Sequence, residues 1–407
     1  MHGRDSSNGG TRQGDAGAAA GAPVSIAAMA LAGGAATLLG VGLGRFAFTP
    51  LFPAMVEAEW VSGGDAAMLG AANLAGYLIG ALAAPWVDGR LGRRTSLRAG
   101  MVLTALFLIA CAWPVGLYWL MGWRLAAGAT GGLLMVLAAP TVLAAVPAAW
   151  RPLLGGLVFS GIGLGVVLSG FGVPLLLDAG VGTTWLILGL AGLAMVVLAW
   201  SRWPAAPAVA ARQGAGLHRP LILALLIGAY ASDGIGFLPH TVFLSDYVAR
   251  GLGWGVAAGG HYWAMFGVGA AAGPLTATVV ARKLGYLRAL PLALVVKTLA
   301  VGLPLVTASP VLMGVSATVV GVLTLGLVAI ANGVSAELAG PEGHARTWSW
   351  MTSGFAVAQA AGAFGLARLF DLTGDHIAIF AIGTAALAAG SLAAIVAVLI
   401  VMRRPHP

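Results

Sequence analysis

The chain alternates long apolar runs with short polar breaks. Twelve of the runs are long enough to cross a hydrocarbon core of roughly 30 Å as helix, which takes about 20 residues. They cover about 25–55, 66–87, 95–113, 117–146, 153–177, 183–203, 219–248, 256–282, 287–307, 310–337, 345–371 and 376–403. Pro114, Pro140, Pro174, Pro204, Pro220 and Pro310 stand at or near run ends or bends. No run alternates apolar and polar with a period of two, so barrel strands are not expected. Two polar stretches are longer. Residues 1–23 read as a disordered cytoplasmic tail, and 204–219 (PAAPAVAARQGAGLHR) as a cytoplasmic linker. The expected fold is an all-α membrane protein. Twelve transmembrane helices form two six-helix bundles, 24–203 and 220–407, related by a pseudo-two-fold axis.

Composition agrees. Of 407 residues, 59% are hydrophobic and only 8% charged, against roughly 25% charged in soluble domains. Mean hydropathy is +0.95. The 62 glycines let transmembrane helices approach closely, and Gly76-x-x-x-Gly80 and Gly269-x-x-x-Gly273 read as such contacts. The single cysteine, Cys111, excludes a disulfide within the chain. The net charge of +8 is chiefly a topology signal. With the N-terminus inside, Arg4, Arg12, Arg90, Arg93, Arg94, Arg98, Arg151, Arg202, Arg212, Arg219, Arg282, Lys283, Arg288, Arg346, Arg403 and Arg404 all fall on the cytoplasmic side. The positive-inside rule then places both termini in the cytoplasm. The Gly, Ala and Arg content suggests a bacterium, hence its cytoplasmic (inner) membrane.

The two halves match at a nearly constant offset. Thr49 pairs with Thr241, Gly92 with Gly285, Arg151 with Arg346, and Asp178 with Asp371, each about 193 residues apart. Parallel six-span repeats are a transporter design. The stretch Gly42 to Pro53 (GLGRFAFTPLFP) in the first run has a faint copy, Gly234 to Thr241 (GIGFLPHT).

The loop Pro85 to Arg94 (PWVDGRLGRR) resembles the G-x-x-x-D-R/K-x-G-R/K-R/K signature of the major facilitator superfamily. Gly92, Arg93 and Arg94 match it; Pro85 stands at its leading Gly, and Asp88 falls one place early. The second-half copy, Arg282 to Gly285, lacks the Asp. Arg124 to Gly128 looks like the family's R-x-x-x-G motif. Gly161 to Gly170 resembles its antiporter motif, with Val166 in place of the Pro and Ser169 in place of a Gly. GRFAFTPLFP and AANLAGYLIGAL (Ala71 to Leu82) together resemble the YbfB/YjiJ-type branch. The resemblance implies alternating access, a central cavity lined by spans one, four, seven and ten, and a monomer. It also implies a gating loop formed by Asp88, Arg90, Gly92, Arg93 and Arg94.

Arg45 lies deep in the first run, where a charge costs roughly 2.5 to 3.5 kcal/mol unless it faces protein or a cavity. A guanidinium can clasp a carboxylate through two parallel hydrogen bonds, so Arg45 is a candidate for an anionic substrate. Thr49 is one turn on and shares its face. Otherwise Arg45 pairs with Asp233 or with backbone carbonyls. Asp233 is the one acidic residue deep in an apolar run, roughly 7 Å nearer the cytoplasm than the Arg45 level. With His240, two turns on, it is a candidate for proton coupling, or else a fixed partner of Arg45. Arg124 joins Arg45 in a positive cavity or is structural. Asn73, Tyr77, Asn332 and Gln359 either touch substrate or tie helices together. Trp348-Ser349-Trp350 and His261-Tyr262-Trp263 read as interfacial anchors. Lys297 is expected to snorkel towards the cytoplasmic surface.

No nucleotide-binding glycine loop or Cys/His ligand cluster occurs, so no cofactor, metal or nucleic acid is expected. The expected function is secondary-active transport of a small solute, with an organic anion favoured because interior arginines outnumber the carboxylate, and with protons as coupling ion. Proton-coupled efflux of drugs or lipophilic cations is the alternative. From other classes, a membrane-embedded enzyme would need several acids or histidines at one depth, and a non-transporting membrane sensor would bind solute without moving it.

Overall fold

The computed structural model describes residues 25–204, 216–217 and 219–403. The expected tail and most of the expected linker lie outside the described residues. Those residues form eleven long helical elements, three short 3-10 turns (Ala148–Trp150, Leu177–Ala179 and Leu303–Leu305) and no strand. They are α1 (Ile26–Glu57), α2 (Gly63–Leu91), α3 (Arg93–Ala110), α4 (Leu117–Ala144), α5 (Arg151–Leu176), α6 (Val181–Ala199), α7 (Pro220–Gly251), α8 (Val256–Leu284), α9 (Tyr286–Gly302), α10 (Pro310–Thr373) and α11 (His376–Arg403). Ten are long and apolar enough to cross a membrane.

Two elements depart from the run pattern. α3 carries Arg93, Arg94 and Arg98 in its 18 residues and is too charged to rank with the ten. α10 merges the two runs expected at 310–337 and 345–371 into one 64-residue helix. Its backbone breaks at Gly340 (φ 64°, ψ −179°), a conformation that a side chain would resist, and Pro341 follows. Arms 310–339 and 341–373 therefore run in different directions.

Starts and stops follow local chemistry. Ser25 caps α1 through Ala28 N–H, and Ser62 with Asp65 forms a capping box on α2. Pro220 and Pro310 open α7 and α10 where no N–H is needed. α1 is not a plain α-helix. Its middle, Leu38–Phe46, is π-helical, as are Pro239–Phe243 and Tyr247–Gly251 in α7. Prolines crowd both helices there (Pro50, Pro53, Pro239), each removing a donor from the α ladder. A π turn re-registers that ladder and is often found at functional sites.

Glycine sets the closest helix contacts. A Cβ at Gly76 or Gly80 would run into the Leu125 or Ala129 carbonyl of α4, and one at Gly128 into the Asn73 carbonyl of α2. The same zipper joins α8 to α10. Gly269, Gly273 and Gly321 meet the carbonyls of Thr318, Val322 and Phe266, each glycine 193 positions after its counterpart. Gly92 (φ 78°, ψ 149°) and Gly285 (φ 77°, ψ 153°) turn the chain identically between α2 and α3 and between α8 and α9.

Buried apolar side chains form two cores, one drawn mainly from α1–α6 and one from α7–α11. Because helices alternate in direction, the breaks at 58–62, 111–116, 177–180, 252–255, 303–309 and 374–375 share one face, here the distal face. The opposite face carries the chain ends. Contacts between the halves run from mid-helix to the distal face. Phe52, Phe243 and Phe370 make a three-ring plug with centroids 5.3 to 6.4 Å apart. Thr49 Oγ1 donates to the Thr241 carbonyl at 2.5 Å, joining the two residues that the repeat pairs. Trp263 Nε1 donates to Ser169 Oγ at 3.3 Å. Within the second half, Asp246, wholly buried, accepts from Arg250 Nε (2.5 Å) and Nη2 (2.7 Å) and lies 2.8 Å from His376 Nε2, and the Arg250 it holds reaches the first half over the Phe52 ring at 6.0 Å. Towards the chain-end face no hydrogen bond, ion pair or ring contact ties helices α1–α6 to α7–α11 among the described residues.

Candidate functional site

The π segment of α1 leaves carbonyls that the α ladder would have used, and two polar side chains take them up. Asn73 Nδ2 donates to Gly44 O (3.3 Å) and to Arg124 O (2.9 Å). Arg124 donates from Nη1 to Gly44 O (2.8 Å) and from Nη2 to Arg45 O (3.4 Å). Its guanidinium lies over the Phe48 and Trp185 rings, and it is only 1% exposed. Of the two readings the sequence left open for Arg124 and Asn73, substrate contact or a structural tie, this geometry fits the tie. Both are sealed behind α1 and hold its unusual backbone.

Arg45 points the other way, into the space between the halves. It is half-buried. The Gln359 amide, oriented with its oxygen towards the guanidinium as hydrogen bonding requires, accepts from Nη2 at 3.2 Å and Nη1 at 3.3 Å. Three rings surround the charge: Phe46 (4.7 Å), Phe237 (5.4 Å) and Tyr77 (5.7 Å). From Phe237 a ladder of rings continues through Phe355 (5.6 Å) and Tyr230 (4.8 Å) to Trp348 (5.7 Å). Among the described residues, Arg45 forms no ion pair. The structure thus brings Arg45, Tyr77 and Gln359 together. Thr49, 1% exposed, goes to the distal seal instead. Asn332 is exposed on the 310–339 arm, apart from this group.

Asp233 does not pair with Arg45. Its Oδ1 lies 2.6 Å from Lys297 Nζ, with side chains 3% and 0% exposed, and neither atom has another polar partner. The expectation that Lys297 snorkels is overturned. It sits eleven residues into α9, about 16 Å along the axis, with a counter-ion at its own depth. Sequence reasoning missed this residue although an intramembrane charge is itself the signal. The Phe237 ring stands 5.5 Å from Lys297 Nζ and 5.4 Å from the Arg45 guanidinium, so a single ring touches both cations.

His240 is fully buried, with Nε2 2.8 Å from Ser316 Oγ. Ser316 gives its own proton to Ala300 O (2.6 Å), so Nε2 is the donor and His240 is the Nε2–H tautomer. Its ring packs edge-on against Phe380. It ties α7 to α9 and α10 and does not reach Asp233.

The predicted gating loop is built within the first half. Arg93 grips Asp88 through two bonds of 2.9 and 2.6 Å and reaches Thr141 Oγ1 at 3.2 Å. Arg94 donates to Trp203 O (2.9 Å) and Arg90 stacks on Trp86 (4.2 Å). Gly92 supplies the positive φ between the helices. No second-half residue enters the network among the described residues.

Two long helical halves, sealed at one face around a charged and aromatic centre, make a transporter of the major facilitator class. The chain belongs to the family described as uncharacterised MFS-type transporter YbfB, whose model matches residues 37–399. No curated protein matches. Solved structures share the fold at low identity. A peptide transporter of the POT type superposes with a TM-score of 0.73 at 15% identity over 93% of this chain and 94% of its own. A D-xylose–proton symporter gives 0.69 at 16%, over 93% and 97%. A bacterial homologue of the human lysosomal transporter Spinster, in an inward-facing and unoccupied conformation, gives 0.65 at 15%, over 92% and 95%.

Proposed function

We propose that this protein moves a small organic anion across the bacterial cytoplasmic membrane, coupled to protons, by alternating access between two six-helix bundles. In this reading α3 is the third span, and the two arms of α10 are the tenth and eleventh of twelve. The glycine zipper that recurs 193 positions on supports the duplication. Arg90, Arg93, Arg94, Arg98, Arg282, Lys283 and Arg288 all lie towards the chain-end face, which supports placing that face in the cytoplasm. With the distal face sealed, the binding centre is reached from the cytoplasm.

One observation carries the anion reading. Arg45 sits mid-helix between the halves with a neutral amide and aromatic faces around it and no carboxylate among the described residues. A half-buried guanidinium without a counter-charge is poised for one that arrives with the substrate. The cation-efflux reading needs a free Asp233, and Lys297 already occupies it.

Coupling uses the Asp233–Lys297 pair. A proton taken up by Asp233 neutralises it and leaves Lys297 as a second cation against Phe237, which strengthens the field for an anion at Arg45. Releasing the proton restores the pair and weakens anion binding. His240 stays outside this path because its Nε2 proton is committed to Ser316. Thermal stabilisation of the purified protein at pH 5.5 and 7.5 tests the scheme, since a ligand that binds the folded state raises its stability by mass action. Organic anions should stabilise it, more so at pH 5.5, and Arg45→Gln should abolish the effect. Stabilisation by lipophilic cations alone would refute the scheme.

A further inference from the structure

The chemistry around Arg45 narrows the anion. Arg124 is shut behind α1, and Lys297, 0% exposed beside Asp233, is out of a ligand's reach whether or not Asp233 carries a proton. Among the described charged groups at this level, Arg45 alone is both accessible and uncompensated. One such cation in an apolar surround suits one negative charge. A second carboxylate would enter a region walled by rings and remain unpaired, which is costly away from water.

The walls set the rest of the molecule. Arg45, Tyr77 and Phe355 are half-buried, whereas Phe237 and Tyr230 are 3% exposed and back them. The open surface beside the guanidinium is therefore aromatic. Rings bind rings in offset or edge-on geometry, with a gain beyond the area they bury. Gln359 is a neutral placeholder. A carboxylate clasped by both Nη atoms displaces its oxygen, and the freed amide can then turn an N–H towards the ligand.

We infer that the centre takes an aromatic monocarboxylate, its carboxylate on Arg45 and its ring against Tyr77 and Phe355. This inference rests on the anion reading above.

The test is a binding titration of the full-length detergent-purified protein with matched probes. These are benzoate, cyclohexanecarboxylate (equal charge and similar size, no π face), terephthalate (a second carboxylate) and benzylammonium (opposite charge). Benzoate should bind at least about three-fold tighter than cyclohexanecarboxylate, and also tighter than terephthalate. Tyr77→Leu should erase the benzoate preference, while Tyr77→Phe, which keeps the ring, should retain it. Ligand-free melting temperatures identify any variant that has merely lost its fold. If cyclohexanecarboxylate matches benzoate, or terephthalate binds more tightly, the inference is overturned and the anion reading stands. If no carboxylate binds, or only benzylammonium does, both fall.

Discussion

The Asp233–Lys297 pair makes a quantitative prediction. Both side chains are essentially inaccessible, 3% and 0% exposed, and their facing atoms have only each other as polar partners. Removing one member strands a charge in a dry interior, which costs about 3 to 5 kcal/mol. Removing both together, in apolar or neutral form of similar volume, leaves no stranded charge and is near neutral or stabilising. Lys297→Met should therefore destabilise the protein by about 3 to 5 kcal/mol, and Asp233→Leu by a similar amount. The double variant should return to within about 1 kcal/mol of the parent. Reversible unfolding in mixed micelles with rising SDS, read by tryptophan fluorescence, measures all four proteins in one cycle. A double variant as damaged as the sum of the singles would refute the pairing. Anion uptake coupled to a proton gradient should be lost in all three variants, including the stable double. Retained coupling in that double would remove the pair from the mechanism.

Further outcomes follow from other contacts. Asp233→Asn, which mimics the protonated carboxyl, should bind anions equally at pH 5.5 and 7.5 yet fail to accumulate them in proteoliposomes; retained pH dependence in thermal shifts would move the proton elsewhere. Gly80→Ala forces α2 from the Ala129 carbonyl and should cost about 1 to 3 kcal/mol of stability. Gly122→Ala, with nothing within 4 Å, is the control in the same unfolding assay. Cys111 is buried, so introduced cysteines can be labelled over a silent background. Val115→Cys should react with an impermeant maleimide in intact cells and Arg90→Cys only after permeabilisation, and the reverse pattern would invert the orientation. Asp246→Ala removes the acceptor shared by Arg250 and His376 and should loosen the distal seal, seen as faster external labelling of Gly63→Cys.

Much of the fold was legible in the sequence because burial in lipid is a strong local constraint. A helix must satisfy its backbone within itself, so long apolar runs marked the helices to within a few residues. The glycines that recur at one offset marked the close contacts, because only a missing Cβ lets the carbonyls of Leu125 and Thr318 approach. Arg45, Tyr77 and Gln359 were recognisable as polar groups at depth. The break between runs ten and eleven was legible, but not that helix runs right up to Gly340 and on from it, since Gly340 and Pro341 look like an ordinary loop. α3, read as a span, proved too charged at its start to rank with the others.

Which charge meets which was not legible. A sequence assigns depth at about 1.5 Å per residue, and with Lys297 expected to snorkel away, Arg45 was left as the candidate partner of Asp233 although roughly 7 Å separated them in depth. The actual partner depends on angular phase, which the π turns of α1 and α7 shift, and on which helix packs behind α7. Tertiary packing set α9 there, matched Lys297 to Asp233, and turned Arg124 inwards to hold Gly44 and Arg45 carbonyls. It thereby left Arg45 as the accessible uncompensated charge, because pairing is a property of three-dimensional neighbours that no run of residues encodes by itself. The sequence alone determined that the chain crosses a membrane many times, through its hydropathy. Only the tertiary structure decided where its interior carries net charge.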